Sequence, residues 1–122
     1  MGESKSDAAL LRELKRLTKG LLFQSESDYP VEPFAPDSWE PGADARAVDF
    51  DDFFAAATEE QDWHDDEARA RVRKFRALVK SLKDNLADIQ VFKSGETEAD
   101  VYVVGRTASG RLAGVKTKVV ET

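Results

Sequence analysis

Between Ala68 and Leu86 the apolar residues return every three or four positions, and beyond Ile89 they return every two. This change of period most tightly constrains what the chain can fold into, because it demands a helix followed by strands. In the first stretch Val72, Phe75, Val79, Leu82 and Leu86, widened by Ala68 and Leu78, form one stripe of a helix over about Asp65–Leu86. Asp65, Asp66 and Glu67 open it and Arg69, Arg71, Arg73, Lys74, Arg76, Lys80 and Lys83 follow, the polarity that suits the helix dipole. In the second stretch the alternation predicts three mostly antiparallel strands, about Gln90–Lys93, Ala99–Arg106 and Arg111–Val120, with Thr107-Ala108-Ser109-Gly110 connecting the last two. Upstream, Leu10, Leu14, Leu17 and Leu21 predict a helix from about Ser6 to Leu22, capped by Ser6 or Asp7. All four prolines fall between Gln24 and Gly42, which reads as a loop pinned to the core by Phe23, Tyr29, Val31, Phe34 and Trp39. Arg46 to Phe50 reads as a short strand. Asp51 or Asp52 caps a brief helix through Phe53, Phe54 and Ala57, and Thr58 to Gln61 has capping-box spacing. The expected class is α+β, helices packed on a mostly antiparallel sheet, in one domain spanning 1–122.

Charge is segregated along the chain. From Leu21 to Glu67 there are fifteen acidic residues against the single Arg46, a net of −14 within a chain whose total is −6. Such self-repulsion suits a solvated face that keeps the protein soluble, or a negative surface offered to a positive partner. The basic face of the long helix does not outweigh this, so nucleic acid is not expected as a partner. No apolar run approaches the roughly 18 residues of a membrane span, and the charge-interrupted N-terminus lacks the apolar core of a signal peptide. The expected location is cytoplasmic, with no membrane partner. With no cysteine and one histidine, disulfides, thiolate sites, cysteine nucleophiles and multi-histidine metal cages are excluded.

The remaining residues do not assemble into catalytic machinery. His64 stands between Asp62-Trp63 and Asp65, a carboxylate beside a histidine, but no serine or threonine is tied to it by a motif. Asp49-Phe50-Asp51-Asp52 lacks the spacing, glycine and closing glutamate of a calcium loop. Gly105 to Gly110 lacks the lysine and following helix of a phosphate loop. The expectation is a protein that is not an enzyme and needs no cofactor.

Four segments carry a resemblance: Gly20-Leu21-Leu22-Phe23-Gln24-Ser25-Glu26-Ser27-Asp28-Tyr29-Pro30; Asp52-Phe53-Phe54 with Gln61-Asp62-Trp63; Asp100-Val101-Tyr102-Val103-Val104-Gly105; and the ending from Leu112-Ala113-Gly114 through Val119-Val120-Glu121-Thr122. In order and over nearly the whole chain, they resemble the nuclease A inhibitor family. The resemblance implies a small intracellular protein that inhibits a non-specific, magnesium-dependent DNA/RNA endonuclease of the ββα-metal type. It also implies a three-layer α/β/α sandwich like that of plant pathogenesis-related proteins.

The family's contacts carry over to particular positions. Its inhibitory glutamate corresponds to Glu26, and its terminal threonine to Thr122, whose carboxylate approaches the nuclease's metal; the protein itself is expected to hold no metal. The interface glutamine and tryptophan correspond to Gln61 and Trp63, with Asp62 between them. Trp63 suits either core packing or anchoring of a partner, and Gln61 either the interface or a capping box. The family pattern carries a longer insertion between its Tyr-Pro and Asp-Phe-Phe segments, whereas Asp37 to Ala47 is short here. The competing reading is a non-catalytic interaction module of the same fold that binds another basic protein.

Overall fold

The computed structural model describes residues 6–24 and 27–120. Helix α1 spans Asp7–Thr18, and the Ser6 hydroxyl caps it by accepting from the Ala9 amide at 3.3 Å. It stops short of the expected Leu22. Gly20 takes a φ of 70°, and the Leu21 amide turns back to the Thr18 carbonyl at 3.0 Å. Strands β1 (Leu22–Gln24) and β2 (Asp28–Pro30) then form a two-stranded antiparallel sheet of their own, with Leu22 facing Pro30 and Gln24 facing Asp28. β3 (Glu32–Phe34) joins the main sheet against β7 (Leu112–Val120).

The proline-containing stretch from Gln24 to Gly42 is therefore not all loop. Among the described residues Pro30 lies in a strand laddered only with β1, and Pro33 in a strand at the sheet edge, positions where one backbone edge is unpaired and a missing N–H is tolerated. The predicted strand at Arg46–Phe50 is β4 (Arg46–Val48), since Phe50 already begins α2 (Phe50–Thr58). The cap of α2 is Asp49, whose carboxylate accepts from the Asp52 amide at 3.0 Å, in place of Asp51 or Asp52. No capping box forms at Thr58, which ends α2 with its hydroxyl donating to the Phe54 carbonyl at 2.9 Å. The next helix, α3 (Asp66–Asn85), starts from Asp65, whose carboxylate accepts from the Ala68 amide at 2.8 Å.

β5 (Ala87–Ser94) and β6 (Glu98–Arg106) complete a five-stranded antiparallel sheet in the order β3-β7-β6-β5-β4. The connection from β6 to β7 turns through Gly110 at φ 88°. The serine just before it ties down the start of α1, because the Ser109 hydroxyl donates to the Asp7 carboxylate at 2.6 Å. That bond, aided by Thr107 and the Arg111 guanidinium, holds the Asp7 carboxyl below its ordinary range.

Alternation along the strands divides the sheet into two faces. Val91, Ala99, Val101, Val103, Ala113, Val115 and Val119 point to the helices and join Leu10, Leu14, Phe54, Phe75, Leu78 and Leu82 in one buried cluster. On the opposite face Phe34, Phe92 and Tyr102 are roofed by Trp39, whose ring centroid lies 5.1 Å from Tyr102, 5.6 Å from Phe92 and 6.1 Å from Phe34. The α+β class is as expected. Among the described residues the three helices contribute to the one buried cluster, and the short loop bearing Trp39 lies over Phe34, Phe92 and Tyr102 on the other face. No described helix is long and apolar enough to cross a membrane.

Candidate functional site

The site builds from Phe23, the middle residue of β1. Its ring stacks on Phe53 of α2 at 4.7 Å and 7°, and meets Phe75 of α3 edge-on at 5.8 Å. Stacked and edge-on pairs of this kind hold two elements in one orientation, so the β1–β2 hairpin is clamped to both helices. On its other side the hairpin is tied to β7. The Thr117 hydroxyl donates to the Pro30 carbonyl at 3.0 Å, and the Lys118 ammonium lies 5.9 Å from the centroid of the Tyr29 ring. The Glu98 carboxylate, hydrogen-bonded to Lys118 at 2.9 Å, raises the pKa of that ammonium above its ordinary value.

At this end of the sheet Phe23, Gln24, Val48, Asp52, Phe53, Lys93 and Val119 line one recess of about 330 Å³. Gln24 is the last described residue before Ser25 and Glu26, and Val119 is followed by Val120, the last described residue before Glu121 and Thr122. Glu26 and Thr122 themselves lie outside the described residues. The structure brings together the two strands that lead to them. Residues 24 and 119 are far apart in the chain and adjacent here only because β1 packs beside the end of β7.

The Gln61-Asp62-Trp63 segment is a tight turn between α2 and α3. The Gln61 amide donates to His64 Nδ1 at 3.1 Å, and the His64 amide donates back to the Gln61 carbonyl at 3.1 Å. Gln61 is half-buried, Asp62 is exposed, and Trp63 is 80% exposed with its ring edge-on to His64 at 4.4 Å. Trp63 therefore takes no part in the core, which leaves it available to a partner. From Phe75, where α3 touches Phe23, the helix runs a further nine residues to Asp66, roughly 13 Å at the helical rise. The turn thus lies along α3 from the hairpin, away from the end that leads into β5.

Two residues at this edge were given no role in a site from sequence. Lys93 stands two positions after the buried Val91 and so has inward parity, a charge where alternation calls for an apolar side chain, and it lines the recess with Asp52. That breach of the two-residue period was the available signal. Arg46, the one cation of the acidic segment, donates from its guanidinium to the Gly95 carbonyl at 3.0 Å and ties β4 to the β5–β6 turn.

The chain matches the family of nuclease A inhibitor-like proteins in two segments, residues 8–45 and 37–122. It belongs to that family. The two segments overlap within 37–45, inside the short loop that follows β3 and bears Trp39. Comparison with curated proteins found no match. As a nuclease A inhibitor-like protein the chain has a nuclease as its implied partner, and the recess at the ends of β1 and β7, with the exposed Trp63 turn, is the part of its surface to test for that contact.

Proposed function

We propose that this chain works as one non-catalytic domain inside the cell, inhibiting a non-specific, magnesium-dependent DNA/RNA endonuclease of the ββα-metal type. Glu26 and the Thr122 carboxylate enter its active site and Gln61, Asp62 and Trp63 contact its surface. The observation that supports this reading is the shared recess of Gln24 and Val119. Glu26 is two residues from Gln24 and Thr122 three from Val119, and a residue spans at most about 3.6 Å. The two carboxylates are tethered within a short reach of one recess.

A nuclease of this class binds a phosphodiester through a divalent metal and basic side chains. Carboxylates offered at the same positions satisfy those groups and present no bond to cleave. The ladder from Glu98↔Val120 inward restrains the end of β7, which limits the ordering cost of binding. The acidic segment from Leu21 to Glu67 adds attraction toward a basic cleft and speeds encounter.

Titration of such a nuclease with the chain tests the proposal, the expected result being complete inhibition at one equivalent. Glu26→Ala is expected to weaken inhibition by about 2–5 kcal/mol, the usual loss for one partner of a buried charged contact. Trp63→Ala is expected to weaken it by about 2 kcal/mol and to shift unfolding by less than about 0.5 kcal/mol, since an exposed side chain leaves no cavity. Binding of a basic protein without inhibition would favour the interaction module over the inhibitor.

A further inference from the structure

We propose that His64 is a positioning residue for the Trp63 contact and that its neutral imidazole is required for full inhibition. This rests on the nuclease reading above. His64 is the only histidine of the chain, and it closes the turn that presents Trp63 from both sides. Its backbone amide donates to the Gln61 carbonyl at 3.1 Å, its Nδ1 accepts the Gln61 amide at 3.1 Å, and its ring meets the indole at 4.4 Å and 76°. An imidazole accepts through Nδ1 only while that nitrogen carries no proton. Protonation converts the acceptor into a second donor facing the Gln61 N–H, so the hydrogen bond is lost and the turn is released from its imidazole.

The charge it creates acts in the same direction. The charged groups flanking His64 in the chain are Glu59, Glu60, Asp62 and Asp65 ahead of α3 and Asp66, Glu67 and Arg69 at its start, and Arg76 reaches back to the end of α2. Among the described residues Glu60 is engaged by Arg69 at 3.4 Å, Asp65 caps α3, and Arg76 donates to the Thr58 carbonyl at 2.8 Å. A surface with this excess of carboxylates suits a basic partner, and an imidazolium within it offsets one of those negative charges. Protonation of His64 is therefore expected to weaken inhibition.

The test is the inhibition constant at pH 8 and pH 5.5 for the native chain, His64→Gln and His64→Phe, against one magnesium-dependent non-specific nuclease. Glutamine supplies a neutral carbonyl acceptor at every pH, whereas phenylalanine keeps a ring against Trp63 and offers no acceptor. The native chain is expected to weaken about fivefold more than His64→Gln between the two pH values, the size of one unit charge acting across a solvated contact. His64→Phe is expected to be the weaker inhibitor at pH 8, with no excess loss at pH 5.5. Equal pH dependence in the native chain and His64→Gln would overturn the proposal, because titration of the nuclease and of the carboxylates is common to both.

A second readout needs no nuclease. In the free protein the Gln61 amide proton resonance is expected to titrate together with the His64 ring protons, and a Gln61 resonance unmoved across that range would overturn the positioning role. Should none of the three chains inhibit at any pH, the nuclease reading fails and the Gln61 resonance alone decides whether His64 holds the turn.

Discussion

A chain ending at Thr122 and the same chain extended by a few residues past Thr122 are expected to melt at the same temperature and to differ in inhibition by at least tenfold, about 1.4 kcal/mol. If the Thr122 carboxylate enters the nuclease's active site as proposed, extension turns it into a neutral amide and adds bulk near the metal, where ligand geometry tolerates little displacement. The fold is expected to be indifferent to the change because, among the described residues, the pairing that holds β7 is complete by Val120, which faces Glu98. Deleting Thr122 is expected to act like the extension, since it withdraws the carboxylate by one residue, at most about 3.6 Å along the chain. Extension at the amino end, ahead of α1, is expected to leave inhibition intact. Nuclease titrations with the four forms check this, and full inhibition by the carboxyl-extended chain would remove Thr122 from the mechanism while leaving Glu26 in it.

Gly114→Ala is expected to produce the largest loss of stability among single-methyl changes in the sheet, about 3 kcal/mol or more, beyond the usual range for overpacking. Gly114 lies in β7 between Val104 on one side and Phe34 on the other. A Cβ added there would stand 1.8 Å from the Val103 carbonyl oxygen and 2.8 Å from its carbon. Both are backbone atoms of a paired strand, so relief requires β6 and β7 to part along the ladder. Gly42→Ala is the matched control, because its Cβ would meet only the Asp44 carboxylate at 3.3 Å. Urea unfolding of both variants checks the difference, and equal midpoints would show that β7 gives way without cost. In Gly114→Ala, inhibition is expected to weaken together with stability, because β7 contributes Val119 to the recess.

Much of this fold is legible in the sequence because much of it is local. The stripe from Ala68 to Leu86 and the cap at Ser6 need only near neighbours, as do the alternation through Val101, Val103, Val115 and Val119 and the Gly110 turn; each appears in the structure within a few residues of its predicted place. The acidic segment is equally plain from the chain, and so are the four stretches that led to the family. Choices among near-equals were not legible. Asp49, Asp51 and Asp52 are all competent caps, and only the extended backbone at Asp49 (φ −64°, ψ 133°) selects one of them. Trp63 has no periodic partner to say whether it is buried, and its exposure follows from the turn closed by His64.

Tertiary structure alone decided β1, β2 and β3. Three-residue strands are too short to display a period, and Pro30 and Pro33 argue for a loop until an edge of the sheet is available for them. The recess shared by Gln24 and Val119 was likewise invisible, because it exists only where the hairpin is clamped by Phe53 and Phe75 beside the end of β7. Periodicity is enforced by contacts a few residues apart and can be read along the chain. Strand pairing at an edge and exposure at a turn depend on which distant surface is free to receive them, and that is settled only once the core has formed.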